Sequence, residues 1–240
     1  LAHLGPITIY NSFLAMGLVT LVLLIFALYT KSVVKVVPGR FQVFLEFIVT
    51  FIYEQVKNAF GTEERARRFF PLIMTIFIVI TVANQLSLLP LIYQVTLDKE
   101  TLLRTATADL MLTMGLALMV VIIGQIISFK HSPLAHLGKY FKLGAFLKVR
   151  SFGDFGHAIL ELFLGLLDII GEISKVLSMS FRLFGNVFAG EVLVLVISSL
   201  SIYTRFFVPV PFMIISIFSG FVQALVFTLL STQFISGMLP

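Results

Sequence analysis

Long apolar segments, separated by short polar stretches that mostly contain proline, run along almost the whole chain. Several of them are apolar for about 18 residues or more, which is the length at which a helix crosses a bilayer. The pattern predicts an all-α, polytopic membrane protein with about six helices in a single membrane domain, residues 1–240. We expect a first span at 7–30, a hairpin of spans at 69–90 and 106–129, a loop at 130–154, and a pair of long helices at 155–203 and 207–238.

Residues 40–60 follow a different pattern. Polar side chains recur there every three or four positions, at Gln42, Glu46, Thr50, Tyr53 and Lys57, and most of the other positions are apolar. This spacing places the polar side chains on one face of a helix. We therefore predict an interfacial amphipathic helix that lies along the membrane surface.

The segment 155–203 is too long for an upright span. No proline occurs between Leu134 and Val208. A continuous helix of this length would measure roughly 70 Å, against a hydrocarbon layer of about 30 Å. The segment either turns sharply inside the membrane or lies strongly tilted. Its glycines permit bends, but no dense turn signal marks a hairpin, so we expect one long, strongly tilted penultimate helix packed with the last helix.

Charge is scarce and unevenly distributed. The chain is 59% hydrophobic and 12% charged, whereas soluble domains carry about 25% charged residues. The net charge is +5, but twelve of the 17 Lys and Arg residues lie in 31–68 and 130–150, next to apolar segments. This distribution is typical of cytoplasmic loops and not of a nucleic-acid-binding surface. The N-terminus is therefore expected outside, with the loop 130–154 and the C-terminus in the cytoplasm.

The composition also limits the chemistry of the chain. It contains no Cys, which excludes disulfides and thiolate metal sites. The spacing of its histidines fits no convincing metal site, and the chain lacks the G-x-x-x-x-G-K-[ST] motif that binds nucleotide phosphates. We therefore expect no metal, no cofactor and no nucleotide site in this chain.

One face of the penultimate helix is polar. On a helical wheel of 100° per residue, six polar or charged side chains fall within about 80° of one another; they are Glu161, Asp168, Glu172, Lys175, Arg182 and Asn186. An ion at the bilayer centre costs at least about 2.5–3.5 kcal/mol. The polar face must therefore contact protein, water or a mobile counter-charge.

Arg182 is the most informative residue of this face. It is the only charged residue between Lys175 and Glu191, and the nearest acid on its face, Glu172, lies roughly 15 Å away along the helix. Glu191 falls on the opposite side, about 180° around the wheel. Snorkelling explains arginines near helix ends, but Arg182 lies in mid-helix. One explanation is a structural arginine satisfied inside the protein; the other is a carboxylate partner on another chain.

The remaining polar residues allow two interpretations each. Lys175 and Glu172 fit an ordinary ion pair, and Glu161 and Asp168 fit solvated residues at the membrane edge; alternatively, the three acids form a hydrated path to the inside. Four further polar residues fit helix–helix hydrogen bonds, a helix cap or a protonated interior acid. Together they fit a path from the outside; they are Asp109, Asn186, Glu191 and Gln223.

Several motifs resemble one protein family. The stretch "FRLFGNVFAGE" around Arg182 resembles the most diagnostic motif of subunit a of the F-type ATP synthase, the stator channel subunit of the membrane rotor. The stretch "FVQALVFTLLSTQFI" resembles the last helix of that family, and "TATADLMLTMGLAL" and "VANQLSLLP" resemble its fourth and third segments. The resemblance covers residues 7–240 and implies a multi-pass protein of the bacterial plasma (inner) membrane or, alternatively, of an organellar energy-coupling membrane.

The resemblance implies a proton-translocating stator subunit that is not an enzyme by itself. Two offset half-channels would deliver and remove protons at the carboxylate of the c-ring, and Arg182 would face that carboxylate and separate the two paths. The implied partners are the c-ring, the peripheral-stalk b subunits, the rest of the ATP synthase and the lipid bilayer, with no nucleic acid. A secondary transporter of an anionic substrate, or a structural subunit with a buried arginine, are the alternatives.

Individual positions also take roles from the resemblance. Asn186, Glu191 and Gln223 would line the outer path, and Asp168 and Lys175 match an acid and a lysine of the inner path. Ser216 departs from the family, because some bacterial members carry a histidine at this position of the last helix. A serine holds no charge, so water or Glu191 alone would have to complete the outer path.

Overall fold

A computed structural model describes residues 2–4, 7–9, 11–87, 96–97, 100–101, 109–131, 152–200 and 208–239. Within these residues the chain forms six helices: α1 (Asn11–Val33), α2 (Arg40–Phe60), α3 (Glu63–Ser87), α4 (Leu110–His131), α5 (Phe152–Leu200) and α6 (Pro209–Gly237). The predicted all-α fold class is confirmed. Most of the predicted loop 130–154, the end of the predicted span 69–90 and the connection 201–207 lie outside the described residues.

Two short antiparallel strand pairs accompany the helices. β1 (Ala2–Leu4) pairs with β2 (Ile7–Ile9), and β3 (Thr96–Leu97) pairs with β4 (Glu100–Thr101). The sequence did not predict these strands, because two or three residues are too few to show the alternation of apolar and polar positions that indicates a strand. The first helix consequently begins at Asn11, after β2, and not at residue 7 as the apolar run predicted.

Five of the six helices are long and apolar enough to cross a membrane. The exception among the described helices is α2, whose polar positions are spread along its whole length. Helix α2 ends at Gly61, which has a φ of 69°, a left-handed conformation that glycine adopts without a Cβ penalty. The described part of the chain therefore combines five candidate spans with one amphipathic helix.

Helix α3 begins earlier than the sequence predicted. The expected start near residue 69 rested on Pro71 and the apolar run that follows it, but the helix begins at Glu63 and contains Pro71 inside it. Glu63 and Glu64 in the first turn interact favourably with the positive end of the helix dipole. Glu63 also forms an ion pair with Arg67 at 3.0 Å, one turn later. These local interactions extend the helix before the apolar segment starts.

Helix α5 is a single helix of 49 residues. The alternative of a hairpin inside the membrane is therefore wrong. Its apolar part, Leu160–Ile197, has 38 residues and is about 57 Å long at 1.5 Å per residue. A segment of this length stays inside a hydrocarbon layer of about 30 Å only if it is inclined by roughly 60° from the membrane normal.

Helices α3, α4, α5 and α6 pack together, and α6 contacts α2, α3, α4 and α5. The core at these contacts contains fully buried apolar side chains, including Ile73 and Ile80 of α3, Leu183 of α5, and Phe227 and Ile235 of α6. Helix α1 packs against α3 and leaves most of its apolar surface uncovered. Helix α6 therefore lies at the centre of the described helices.

Candidate functional site

Arg182 lies on the uncovered side of α5. The side of α5 that packs against α4 and α6 carries Val176, Met179, Leu183 and Val187, all of which are buried. Arg182 is exposed and lies at the edge of this side, next to α6. It lies near the middle of the apolar part of α5, where an ion facing lipid costs at least about 2.5–3.5 kcal/mol, so its charge requires protein, water or a counter-charge beside it.

Exposed apolar side chains continue from Arg182 around the uncovered side of α5. Phe181, the preceding residue, is 55% exposed, and Phe188, Leu177 and Ile173 are exposed farther around the helix. Within the described part of the chain, no carboxylate forms an ion pair with Arg182. The guanidinium is thus a permanent charge in an apolar surface that offers it no counter-charge from the described residues.

A cavity of about 300 Å³ adjoins the Arg182 side chain. It lies between α5 and α6 and is lined by Lys175, Ser178, Met179, Arg182, Leu230, Gln233 and Phe234. The two cations on its wall, Lys175 and Arg182, are seven residues apart, or about 10 Å along the helix. Arg182 therefore lines the same cavity as Lys175 and Ser178, two polar residues that precede it on α5.

Lys175 is held by two neighbours. Its Nζ atom lies 3.5 Å from Oε1 of Glu172 and 5.0 Å from the ring centroid of Phe234. The Glu172 side chain is only 11% exposed, because at about 80° from Arg182 on the wheel it reaches the packed side of α5. The ordinary ion pair that the i, i+3 spacing suggested is therefore present. The ring of Phe234 on α6 adds a cation–π contact to the lysine.

Phe234 occupies this position because α4 carries a glycine beneath it. A Cβ atom on Gly124 would lie 2.5 Å from Cε1 of the Phe234 ring and 3.1 Å from Cδ1. Carbon atoms in contact are normally about 3.5–4.0 Å apart. Only a glycine therefore lets the ring pack between α4 and Lys175. Neither Gly124 nor Phe234 was among the sequence-based candidates, since their proximity depends on helix packing.

A second polar cluster lies beyond Arg182, between α3, α5 and α6. Ser219 of α6 donates a hydrogen bond to Oδ1 of Asn186, four residues after Arg182. One residue further along α6, the carbonyl of Gly220 accepts a hydrogen bond of 3.0 Å from Nδ2 of Asn84. Gln85 donates a similar bond of 3.0 Å to the carbonyl of Ile217. Three helices thus meet through polar groups on one turn of α6.

Three buried polar atoms in this region have no hydrogen-bond partner among the described residues. They are Oγ1 of Thr81, Oδ1 of Asn84 and Nε2 of Gln223. Asn84 is fully buried, and Gln223 is 8% exposed. Buried polar groups in proteins are nearly always paired with protein or ordered water, so ordered water is the expected partner of these atoms.

The other predicted site residues differ in their exposure and hydrogen bonding. Asp109 precedes α4 and accepts a hydrogen bond of 2.9 Å from the backbone N–H of Met111, the interaction of a helix cap. Asp168, Glu191 and Ser216 are half-buried, and Glu161 is exposed near the start of the apolar part of α5. Among the described residues, no group of three or more His, Asp or Glu side chains could hold a metal ion.

Sequence analysis missed Ser219 and Gln85 of the polar cluster. A signal for Ser219 is present, because it lies one helical turn before Gln223 and therefore on the same side of α6. No such signal exists for Gln85, whose partner Ile217 is 132 residues away.

Known proteins resemble this chain over nearly its whole length. The family model described as ATP synthase A chain matches residues 12–236. ATP synthase subunit a of Desulforamulus reducens is 32% identical over 240 residues, which cover 97% of this chain and 79% of the relative. The proteins of the same name from Moorella thermoacetica and Geotalea daltonii are both 31% identical, covering 98% and 92% of this chain and 93% and 84% of the respective relatives.

Proposed function

Because the chain belongs to the ATP synthase A chain family, the membrane proton-channel subunit of that complex, we propose that it moves protons through two offset half-channels separated by Arg182. Each half-channel ends at a carboxylate on the rotating c-ring. Protons enter from the outside, ride on the ring, and leave to the cytoplasm. The membrane potential supplies about 2.3 kcal/mol per charge for each 100 mV.

The observation that carries this proposal is the position of Arg182 between two polar regions. The contact of Asn186 with Ser219 of α6 lies on one side of it along α5, and Lys175, which lines the cavity and pairs with Glu172, lies on the other. Arg182 itself lies on the uncovered surface, in the gap between these regions. A fixed positive charge there repels a proton that would pass directly from one region to the other.

The same charge acts on the ring. A carboxylate that approaches the guanidinium in a low-dielectric environment is stabilised in its ionised form. It therefore releases its proton as it passes Arg182 and takes up another afterwards. The apolar side chains around Arg182, such as Phe181 and Phe188, would contact the ring helices and exclude water from this step.

The outer half-channel is proposed to contain Asn186, Gln223, Glu191, Ser216 and Asp109. The unpartnered Nε2 of Gln223 and Oδ1 of Asn84 support a hydrated path at this place. The inner half-channel is proposed to contain Lys175, Glu172, Asp168 and Glu161. Asp109 would act at the entrance while it caps α4.

The proposed orientation follows the basic segments of the chain. One group is Lys31 in the last turn of α1, Lys35 in the connection and Arg40 at the start of α2; the other is Arg65, Arg67 and Arg68 at the start of α3. The distribution of positive charge favours the cytoplasmic side for both groups, which supports a proposed orientation with the N-terminus outside and the C-terminus inside a bacterial plasma membrane. The c-ring and the b subunits are the proposed partners, and ATP chemistry belongs to other subunits.

Proton pumping by the assembled complex tests the role of Arg182. In proteoliposomes, Arg182→Ala should abolish ATP-driven acidification, and Arg182→Lys should retain little of it, because a lysine can lose its proton where an arginine cannot. ATP hydrolysis by the detached catalytic head should be unchanged. The exposed Arg68 of α3 supplies the control, since Arg68→Ala should pump normally. Normal pumping by Arg182→Ala would refute the proposal.

Cross-linking tests the proposed contact separately. The chain contains no Cys, so Arg182→Cys introduces a single thiol, which should cross-link to a cysteine placed beside the ring carboxylate. Ser180→Cys is the matched control, because Ser180 is buried against the chain itself and should not react. Equal cross-linking at both positions, or none at position 182, would contradict a ring contact and favour a transporter that binds an anion at Arg182.

A further inference from the structure

A groove lies where the end of α1 meets the start of α2, away from the Arg182 site. Its volume is about 200 Å³. Its walls include Val33 at the end of α1, Val34 directly after it, and Leu45 and Val49 of α2. Phe41 closes one end, where its ring packs edge-on against Phe26 and Tyr29 at centroid distances of 6.5 and 6.0 Å. The groove is therefore mostly apolar.

Hydrogen bonds fix the shape of this groove. The side chain of Gln42, which is buried, accepts a bond of 3.0 Å from the backbone N–H of Lys35 and donates one of 3.1 Å to its carbonyl. Gln42 also donates a bond of 2.8 Å to Oε1 of Glu46. The connection between α1 and α2 is thus tied to α2 by a side chain, and the groove exists before any ligand enters it.

Basic residues neighbour the lining of the groove along the chain. Lys31, Lys35 and Arg40 are all exposed and adjoin residues that line the groove or bond to its lining. The acid at the groove, Glu46, is engaged by Gln42. Three positive charges against one negative charge leave the entrance with a net positive charge, which attracts an anion.

The location of the groove indicates that this anion is a membrane component. Helix α2 is amphipathic and is not among the helices that could cross the bilayer, so it lies at the boundary of headgroups and acyl chains. Val36 is 102% exposed and Val37 is 83% exposed, so this connection presents apolar side chains to the bilayer next to its basic ones. A lipid with an anionic headgroup matches both properties.

The size of the groove argues against a helix of another subunit. An α-helix is about 10 Å wide, so a groove of about 200 Å³ has room for less than ~3 Å of helix length, which is under one turn. An acyl chain is narrower than a helix and can lie lengthwise in such a space. We propose that this groove binds an acyl chain of an anionic phospholipid, whose phosphate contacts Lys31, Lys35 and Arg40.

Fluorescence quenching by brominated lipids tests this proposal. The chain contains no Trp, so Val36→Trp introduces a single reporter at a position where the side chain is fully exposed. The full chain is reconstituted in phosphatidylcholine vesicles that contain phosphatidylglycerol or phosphatidylcholine with brominated acyl chains. Phe129→Trp is the control reporter, because Phe129 is exposed near the end of α4, beside Lys130.

At low salt, phosphatidylglycerol should be preferred over phosphatidylcholine at the Val36→Trp reporter by at least roughly 5-fold, with a smaller preference at Phe129→Trp. Lys31→Gln and Lys35→Gln should each reduce this preference by up to about 5-fold, the contribution of one basic residue near an anionic surface. Lys35→Gln keeps the backbone groups that bond to Gln42. Arg68→Gln, which removes a charge elsewhere, should leave the preference unchanged.

A second variant separates the groove from general surface charge. Val33→Phe fills the groove and leaves the basic residues in place, so it should reduce quenching by brominated chains at the Val36→Trp reporter. Circular dichroism checks that each variant is folded. Equal quenching by the two lipids, or no effect of Val33→Phe, would overturn the proposal. Loss of quenching on assembly with the other subunits would show that a protein covers the groove, which would also overturn it.

Discussion

The contact between Gly124 and Phe234 gives a sharp test of how the Arg182 cavity is built. In Gly124→Ala the new Cβ would lie 2.5 Å from Cε1 of Phe234 and 3.6 Å from Cζ. Contact distances of about 3.5–4.0 Å require the ring to move by roughly 1 Å. The ring is buried, and Lys175 lies on it with Nζ 5.0 Å from the ring centroid. The displacement must therefore change the wall of the cavity that Arg182 shares.

The energetic effect can be estimated from a matched variant on the same helix. Gly115 of α4 has no atom within 4 Å of an added Cβ, so Gly115→Ala should gain helix propensity, about 1 kcal/mol. Gly124→Ala has the same gain but also a steric cost of about 1–3 kcal/mol. We expect Gly124→Ala to unfold at lower denaturant concentration than Gly115→Ala, with a difference of about 1–3 kcal/mol in free energy of unfolding.

Circular dichroism during denaturation measures this difference, because the chain has no Trp for intrinsic fluorescence. A double variant tests its cause. Phe234→Leu removes the ring, so Gly124→Ala should cost little in the Phe234→Leu background, with a coupling energy of about 1 kcal/mol or more. Proton pumping should fall in Gly124→Ala and not in Gly115→Ala. Equal stability of the two alanine variants, or strictly additive effects, would refute the reasoning.

Two other predictions concern buried amides. Asn84→Leu removes the donor of the 3.0 Å bond to the Gly220 carbonyl and should lower the free energy of unfolding by about 0.5–2 kcal/mol, as measured by denaturation; an unchanged midpoint would show that this bond does not hold α3 to α6. Gln42→Leu removes both bonds to the Lys35 backbone, worth about 1 kcal/mol each, and should increase the rate of tryptic cleavage after Lys35 at least tenfold; an unchanged rate would contradict the proposed tie between α1 and α2.

Some elements were predictable because they depend only on neighbouring residues. The apolar segments, the amphipathic α2 and the polar side of α5 all follow from composition and helical periodicity. The isolation of Arg182 also follows, since the absence of a nearby acid on its face can be read from the spacing alone. The start of α3 could not be placed by hydropathy, because Glu63 and its ion pair with Arg67 extend the helix into a polar stretch.

Other elements depend on how helices pack. The sequence favoured one long helix for residues 155–203 over a hairpin, because no dense turn signal interrupts the segment, and the structure has a single helix there that packs along α4 and α6. The position of Asp109 alone fits a cap or a channel residue, and the structure adds its bond to the N–H of Met111, which is the bond of a helix cap.

The sequence by itself determined that this is a membrane protein with an unusual central arginine, because the transfer energies of apolar and charged side chains are properties of single residues. The tertiary structure decided where that arginine points and what lies on either side of it. The contacts of Asn84 with Gly220 and of Gly124 with Phe234 join residues more than 100 positions apart. Such contacts arise from the relative positions of packed helices, which no local pattern specifies.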